Sequence, residues 1–300
     1  MSRKLAAIDI GTNTLLMLVA EVSADRSIRV IDDLHEIARL GENLGQTCKI
    51  SDLAEERAAA ILDRYLRRCD ELGVDEIKVC ATSALREAQN GPEVKSRLEK
   101  SIGCEIGLIS GEREAELSFL GAVDTKESAI VVDIGGGSTE IIYGHSGRYI
   151  DRRSFPIGAV KLTERFIPHH PPNFDKVESI REYIYNEFDG FDFGNFDGYM
   201  IAVAGTPTTM AQISLGLLEY DDDKIEGYVL EERELIRVIQ ILLNSSVDDI
   251  VEKHGVHPRR ADLITCGALL LHEIMKLSGK SRLIVSAKGL RYGILKSMIK

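Results

Sequence analysis

Nowhere in the 300-residue sequence do about eighteen apolar residues run without interruption, so no segment is expected to cross a membrane as a helix. The one apolar stretch near the N-terminus is broken by Asp9 and Asn13 and closed by no small-residue cleavage site, which argues against a secretory signal. C-x-x-C spacing is missing too. The five cysteines (Cys48, Cys69, Cys80, Cys104, Cys266) are odd in number and scattered, so reduced thiols in a cytoplasmic protein are the expectation rather than zinc or a redox pair. Positive charge is in deficit: 37 Lys and Arg against 48 Asp and Glu leave a formal net charge of -11, which argues against the broad basic face needed for sequence-independent nucleic-acid binding. A polyanionic small ligand stays open, because a few arginines and backbone amides in one cleft set the local field whatever the total. No segment reads G-x-x-x-x-G-K-[ST], and no glycine-rich turn opens a helix as a dinucleotide fingerprint requires.

What is present is an ordinary globular composition, 44% apolar and 28% charged, in a length that suits about two domains. Residues 4–22 read as a strand LAAIDI, a turn GTNT and a strand LLMLVAEV, with a further strand near 28–34. Ser51 opens a helix over 52–72 that Gly73 stops. A strand over 76–82, helices over 85–89 and 92–101, a strand over 104–109 and a helix over 112–123 follow. Residues 129–145, AIVVDIGGGSTEIIYGH, then repeat the opening: an apolar strand, Asp-Ile-Gly, a short polar turn, a second apolar strand. The two Asp-Ile-Gly triplets are 124 residues apart, which suggests two similar halves, each presenting a hairpin loop to a shared cleft. Helices over 158–166 and 175–188, a strand over 198–205 ending in a turn at Thr206-Pro207, helices over 231–244, 247–254 and 259–277, a strand over 281–287 and a helix over 290–300 complete the reading. Mixed strands and helices predict an α/β architecture. The domains expected are 1–125 and 126–300, the repeat placing the boundary, with a C-terminal helix at about 289–300 packing back on the first.

Glycine-rich turns suit phosphate, because the backbone can approach the anion with successive N–H groups pointing inward. Gly135-Gly136-Gly137-Ser138-Thr139 has that chemistry, and Gly11-Thr12-Asn13-Thr14 adds hydroxyl and amide donors. A single loop of this kind is ordinarily just a hairpin turn; two copies after the same triplet argue otherwise. Asp9, Asp133 and Glu140 flank the loops, and magnesium takes one or two carboxylates while keeping waters and phosphate oxygens as its other ligands. His169, His170, His254 and His257 lack the spacing of a transition-metal site.

DIGTNT (9–14), ATSALREA (81–88), SGEREAELSFLGA (110–122), VVDIGGGSTEI (131–141), AGT (204–206), RADLITCGA (260–268) and VSAKGLRYGIL (285–295) resemble, in order, the motifs of the exopolyphosphatase/guanosine-pentaphosphate phosphohydrolase family. The resemblance spans nearly the whole chain. It implies two similar ribonuclease H-like (actin-like ATPase) domains flanking a central cleft, magnesium as cofactor, a homodimer, and inorganic polyphosphate or guanosine pentaphosphate as substrate. It also implies Glu114 as the catalytic base, Asp9, Asp133 and Glu140 around the metal, and Arg86, Thr12, Asn13, Gly136, Gly137 and Ser138 on phosphate. From the residues alone Glu112, Glu114 and Glu116 are equivalent, because acids are favoured near any helix N-terminus. Arg259, Arg260, Lys288 and Arg291 suggest a path for a longer anionic chain. The sequence departs from the family pattern at Ala287 and Tyr292, where acids are frequent, and ends at Lys300 without the long helical extension of larger members.

Two other readings compete. One is an actin-like-fold kinase passing phosphate to a metabolite; the other is a non-catalytic polyphosphate or alarmone sensor.

Overall fold

A computed structural model describes residues 2–123, 128–145, 148–194 and 198–299. The chain divides into two compact units, Met1–Gly121 with Leu290–Lys300, and Ala122–Gly289. The boundary expected at 125/126 lies outside the described residues.

Among the described residues of the first unit the sheet has five strands: β1 (Arg3–Ile10), β2 (Thr14–Val22), β3 (Ile28–Ile37), β4 (Glu76–Ala81) and β5 (Ile106–Leu108), in the order β3-β2-β1-β4-β5. β1, β2 and β3 form an antiparallel meander, and β4 and β5 run parallel to β1. β1 is covered on both faces, which is why LAAIDI reads as one continuous apolar run. Ala6, Ile8 and Ile10 pack with Ala58, Leu62 and Tyr65 of helix Asp52–Leu72. Leu5 and Ala7, on the opposite face, pack with Leu117 of helix Gly111–Ala122 and with Ile294, Leu295 and Met298 of helix Leu290–Met298. Alternation puts Asp9 on that second face, at the C-terminal end of a central strand, where open α/β sheets bind ligands. Helix Asp52–Leu72 has the bounds its punctuation predicts: the Ser51 side chain accepts the Ala54 N–H, and Gly73 closes it at φ 63.

In the second unit β6 (Ala129–Ile134), β7 (Thr139–His145), β8 (Arg148–Phe155), β9 (Tyr199–Val203), β10 (Val229–Glu231) and β11 (Arg282–Val285) stand in the order β10-β11-β9-β6-β7-β8. β6, β7 and β8 are antiparallel neighbours, and β9 and β11 run parallel to β6 and to each other. Leaving out the added edge strand β10, this is the first unit's topology over again. The expected α/β class, with two similar units of the ribonuclease H-like (actin-like ATPase) kind, holds. Ile130, Val132 and Ile134 join a core with helices Phe174–Glu187, Glu232–Leu243 and Ile264–Leu277, so Asp133 belongs to the other face.

Several elements differ from expectation. β8 was not expected as a strand: Arg148, Asp151, Arg152 and Arg153 interrupt any apolar alternation, and an edge strand tolerates them. Thr206-Pro207 is no turn but lies in the first turn of helix Gly205–Ser214, where proline's missing N–H costs no helical bond. The single helix expected over 259–277 is two, Pro258–Ala261 and Ile264–Leu277.

Candidate active site

Asp9, Thr12, Asn13, Arg86 and Glu114 belong to the first unit, and Asp133, Gly136, Gly137, Ser138 and Glu140 to the second. The two hairpin turns are built alike. Gly11 N–H donates to Thr14 O at 3.1 Å, and Gly135 N–H donates to Ser138 O at 3.0 Å. Four residues, from Gly11 or Gly135 onward, separate the last paired residues in each: Ile10 pairs Leu15, and Ile134 pairs Thr139.

Each turn has its carbonyls tied down from one side. In the second unit Gly135 O accepts the Ala159 N–H at 3.0 Å, and Gly136 O accepts the Val160 N–H at 2.9 Å. A trans peptide holds its N–H opposite its C=O, so the amides of Gly136 and Gly137 point away from helix Ala159–Phe166. That is the disposition an anion-binding nest needs. The approach is close: a Cβ on Gly158 would stand 2.5 Å from Gly136 O, so only glycine fits there. In the first unit Thr12 O accepts the Gly41 N–H at 2.8 Å, and Asn13 O accepts the Arg39 N–H at 2.9 Å. The same planarity turns the Asn13 amide away from Gly41. Thr12 and Ser138 are buried, and Asn13 is half-buried.

The acids divide unequally between the hairpins. Asp9 pairs in register with Leu16, whereas Asp133 pairs with Glu140. Residues directly opposite on adjacent strands share a face with Cβ atoms about 5 Å apart, so the second unit carries two carboxylates side by side. Both are buried, Asp133 at 7% exposure and Glu140 at 1%. Ser154 continues the row on β8, opposite Glu140, and its hydroxyl donates to Glu140 Oε1 at 2.7 Å.

Arg86 and Glu114 meet inside the first unit. Arg86, on helix Ser83–Glu87 immediately beyond β4, donates from Nη1 to Ile109 O at 2.8 Å and to Glu114 Oε2 at 3.2 Å. Glu114 lies in the first turn of helix Gly111–Ala122, where the helix dipole favours an acid, and is 7% exposed. Geometry separates the three glutamates the sequence left equivalent: Glu112 is exposed, Glu116 is paired with Arg113 at 2.7 Å, and Glu114 is buried.

The donor set fits magnesium. Among the described residues no group of three or more His, Cys, Asp or Glu is placed to hold a metal, so nothing forms an all-protein cage. Two adjacent carboxylates are what magnesium uses when waters and substrate phosphate oxygens complete its octahedron, while the amides could hold only the phosphate.

The basic residues suggested as a polyanion path are divided between the two units, and three of them have acidic or carbonyl partners. Arg291 belongs to the first unit and holds Asp33, so its charge is already matched. Lys288 stands 3.5 Å from Glu226, which also accepts the Ala287 N–H at 2.7 Å and pins the 286–288 turn. Arg260 bonds Gly205 O at 3.3 Å and Thr209 Oγ1 at 3.4 Å, and burial of its guanidinium pulls its pKa down. Ser154 and Asp33 went unnoticed in the sequence; reading β8 as a strand would have set Ser154 opposite Glu140.

Comparison with known proteins gives consistent results. The model of the Ppx/GppA phosphatase family matches residues 18–300. A bifunctional 3-dehydroquinate synthase/phosphatase of Fusobacterium nucleatum is 31% identical over 299 residues; the match takes in 94% of this chain but only 44% of that longer protein. Exopolyphosphatase 2 of Mycobacterium tuberculosis is 29% identical over 317 residues, covering 98% of both chains. The crystal structure of the Aquifex aeolicus Ppx/GppA family member superimposes with a TM-score of 0.84 at 28% identity, covering 100% of this chain and 98% of that one.

Proposed function

The chain belongs to the Ppx/GppA phosphatase family, and from that premise we propose that it hydrolyses the terminal phosphoanhydride bond of inorganic polyphosphate with magnesium, releasing orthophosphate. The relative named exopolyphosphatase 2, matched from end to end, supports this substrate. The observation that carries the reading is the buried Asp133–Glu140 pair beside the outward amides of Gly136 and Gly137. Guanosine pentaphosphate ends in the same anhydride, and we include it as a second substrate of the same residues.

Phosphoryl transfer needs in-line positioning and neutralisation of charge on the equatorial oxygens. Magnesium held by Asp133 and Glu140 would supply part of that neutralisation. The amides of Gly136 and Gly137, the Ser138 hydroxyl, and Thr12 and Asn13 would donate to oxygens of the terminal phosphoryl group. Glu114 would orient the attacking water and take its proton as the new P–O bond forms. The bridging P–O bond breaks, the electron pair leaving with the shortened chain. Arg86, besides orienting Glu114, would present its cationic guanidinium to a phosphate oxygen.

Orthophosphate release from polyphosphate and from guanosine pentaphosphate, with magnesium and with chelator, tests the proposal. Release that requires magnesium and is lost in Glu114→Gln supports it. A phosphorylated acceptor in place of free phosphate would identify a kinase, and binding without turnover a sensor.

A further inference from the structure

The face of the second sheet that carries Asp133 and Glu140 holds a third polar side chain in line with them. Asp133 on β6, Glu140 on β7 and Ser154 on β8 are successive register partners, so their side chains form one row across three strands. β8 is the edge of the sheet, which makes Ser154 the last member of that row. Glu140 is almost wholly enclosed, and a buried carboxylate is costly unless hydrogen bonds satisfy it. A hydroxyl donating to one carboxylate oxygen at 2.7 Å holds that oxygen in a fixed direction.

We propose that Ser154 is a positioning residue for the metal site: its hydroxyl fixes one oxygen of Glu140, and with it the plane in which that carboxylate is presented beside Asp133 to a divalent cation. Ser154 itself binds neither metal nor substrate. Ser154→Ala removes the donor while leaving the strand pairing and the Glu140 side chain in place. Threonine keeps the hydroxyl and suits an edge strand. The proposal rests on the reading of Asp133 and Glu140 as the magnesium carboxylates, so the test must separate the two.

Manganese serves as the probe, its binding followed by electron paramagnetic resonance on wild type, Ser154→Ala, Ser154→Thr and Glu140→Gln, each with its thermal midpoint. Expected is a weakening of about 10- to 100-fold in Ser154→Ala, the usual cost of losing a bond that orients a metal ligand, with near-wild-type affinity in Ser154→Thr and a larger loss in Glu140→Gln. Wild-type affinity in Ser154→Ala overturns the role of Ser154, and so does a fall in thermal midpoint with no change in affinity. If Glu140→Gln binds manganese as wild type does, or wild type binds none, the carboxylate site itself is refuted and Ser154 with it.

Discussion

Arg291 closes on Asp33 with both arms of its guanidinium, Nε to Oδ1 at 2.8 Å and Nη2 to Oδ2 at 2.8 Å, across 258 residues of sequence. The pair fastens helix Leu290–Met298 to the first unit's sheet, and Arg291 is only 4% exposed. His35 Nε2 stands 3.0 Å from Asp33 Oδ1, the oxygen that Arg291 Nε also reaches. Removing Asp33 takes the bidentate carboxylate from a buried guanidinium, so Asp33→Ala should cost about 3 kcal/mol in urea unfolding. A loss below about 0.5 kcal/mol would show that the clasp carries no stability.

The same pair sets an acid limit. Burial raises the pKa of Asp33, but the hydrogen bond with His35 and the charge of Arg291 outweigh it and hold the carboxyl below its usual value. A depressed carboxyl stabilises the fold above its unfolded pKa of about 4 and loses that contribution as pH falls through the folded value. Wild type should therefore lose stability below about pH 4 more steeply than Asp33→Asn. Parallel profiles for the two proteins would contradict this.

Arg86 and Glu114 are separable by kinetics. Glu114→Gln keeps the shape and a hydrogen-bond acceptor for Arg86 but cannot take a proton, so turnover should fall by about 10²- to 10⁴-fold while KM changes little. Arg86→Lys keeps a charge but moves the donor away from the place where Arg86 Nη1 reaches Ile109 O and Glu114 Oε2 together, so both kcat and KM should suffer. Steady-state orthophosphate release measures both. A Glu114→Gln enzyme with wild-type kcat would remove Glu114 from the chemistry.

What the sequence disclosed depended on how local its signals were. Helix Asp52–Leu72 was legible to the residue because Ser51 and Gly73 punctuate it on the spot. The duplicated hairpins were legible because Asp-Ile-Gly follows an apolar strand twice. Helix Gly205–Ser214 was hidden by Pro207, whose turn propensity and tolerance in a first helical turn read alike. Charge hid β8, and with it the row Asp133–Glu140–Ser154, since register cannot be counted along an unrecognised strand. The burial of Glu114 and the clasp of Arg291 arise from packing between distant segments, which no spacing encodes.

Gly293 tests that packing directly. A Cβ there would come within 1.8 Å of Leu117 O, so helix Leu290–Met298 lies against the backbone of helix Gly111–Ala122 with no room for a methyl group. Alanine has the better helix propensity by about 1 kcal/mol, but overpacking against rigid backbone costs about 1–3 kcal/mol. Gly293→Ala should therefore lower the thermal midpoint, and a rise would mean that the helices part at no cost.

His272 gives the second unit a pH dependence of its own. Its ring is buried on helix Ile264–Leu277 between Arg181 of helix Phe174–Glu187, Nη1 3.4 Å from Nδ1, and Glu232 of helix Glu232–Leu243, Oε1 3.3 Å from Nε2. Glu273, its neighbour, is paired with Arg181 and with Lys276. Burial first, then the charge of Arg181, pulls the His272 pKa below its ordinary value, against a weaker pull upward from Glu273 and Glu232. Nδ1, facing a guanidinium donor, is assigned as the acceptor, which leaves the proton of the neutral ring on Nε2 toward Glu232. The unfolded chain takes up a proton near pH 6.5 that the folded one refuses, so this histidine favours folding above that pH and opposes it increasingly below. One proton changes stability by at most about 1.4 kcal/mol per pH unit. His257 is shifted the same way by burial and its neighbouring arginines, so the comparison must be made at His272 alone. His272→Gln, which cannot titrate, should flatten the fall in urea midpoint between pH 6.5 and 5 relative to wild type; an unchanged slope would place the proton uptake elsewhere.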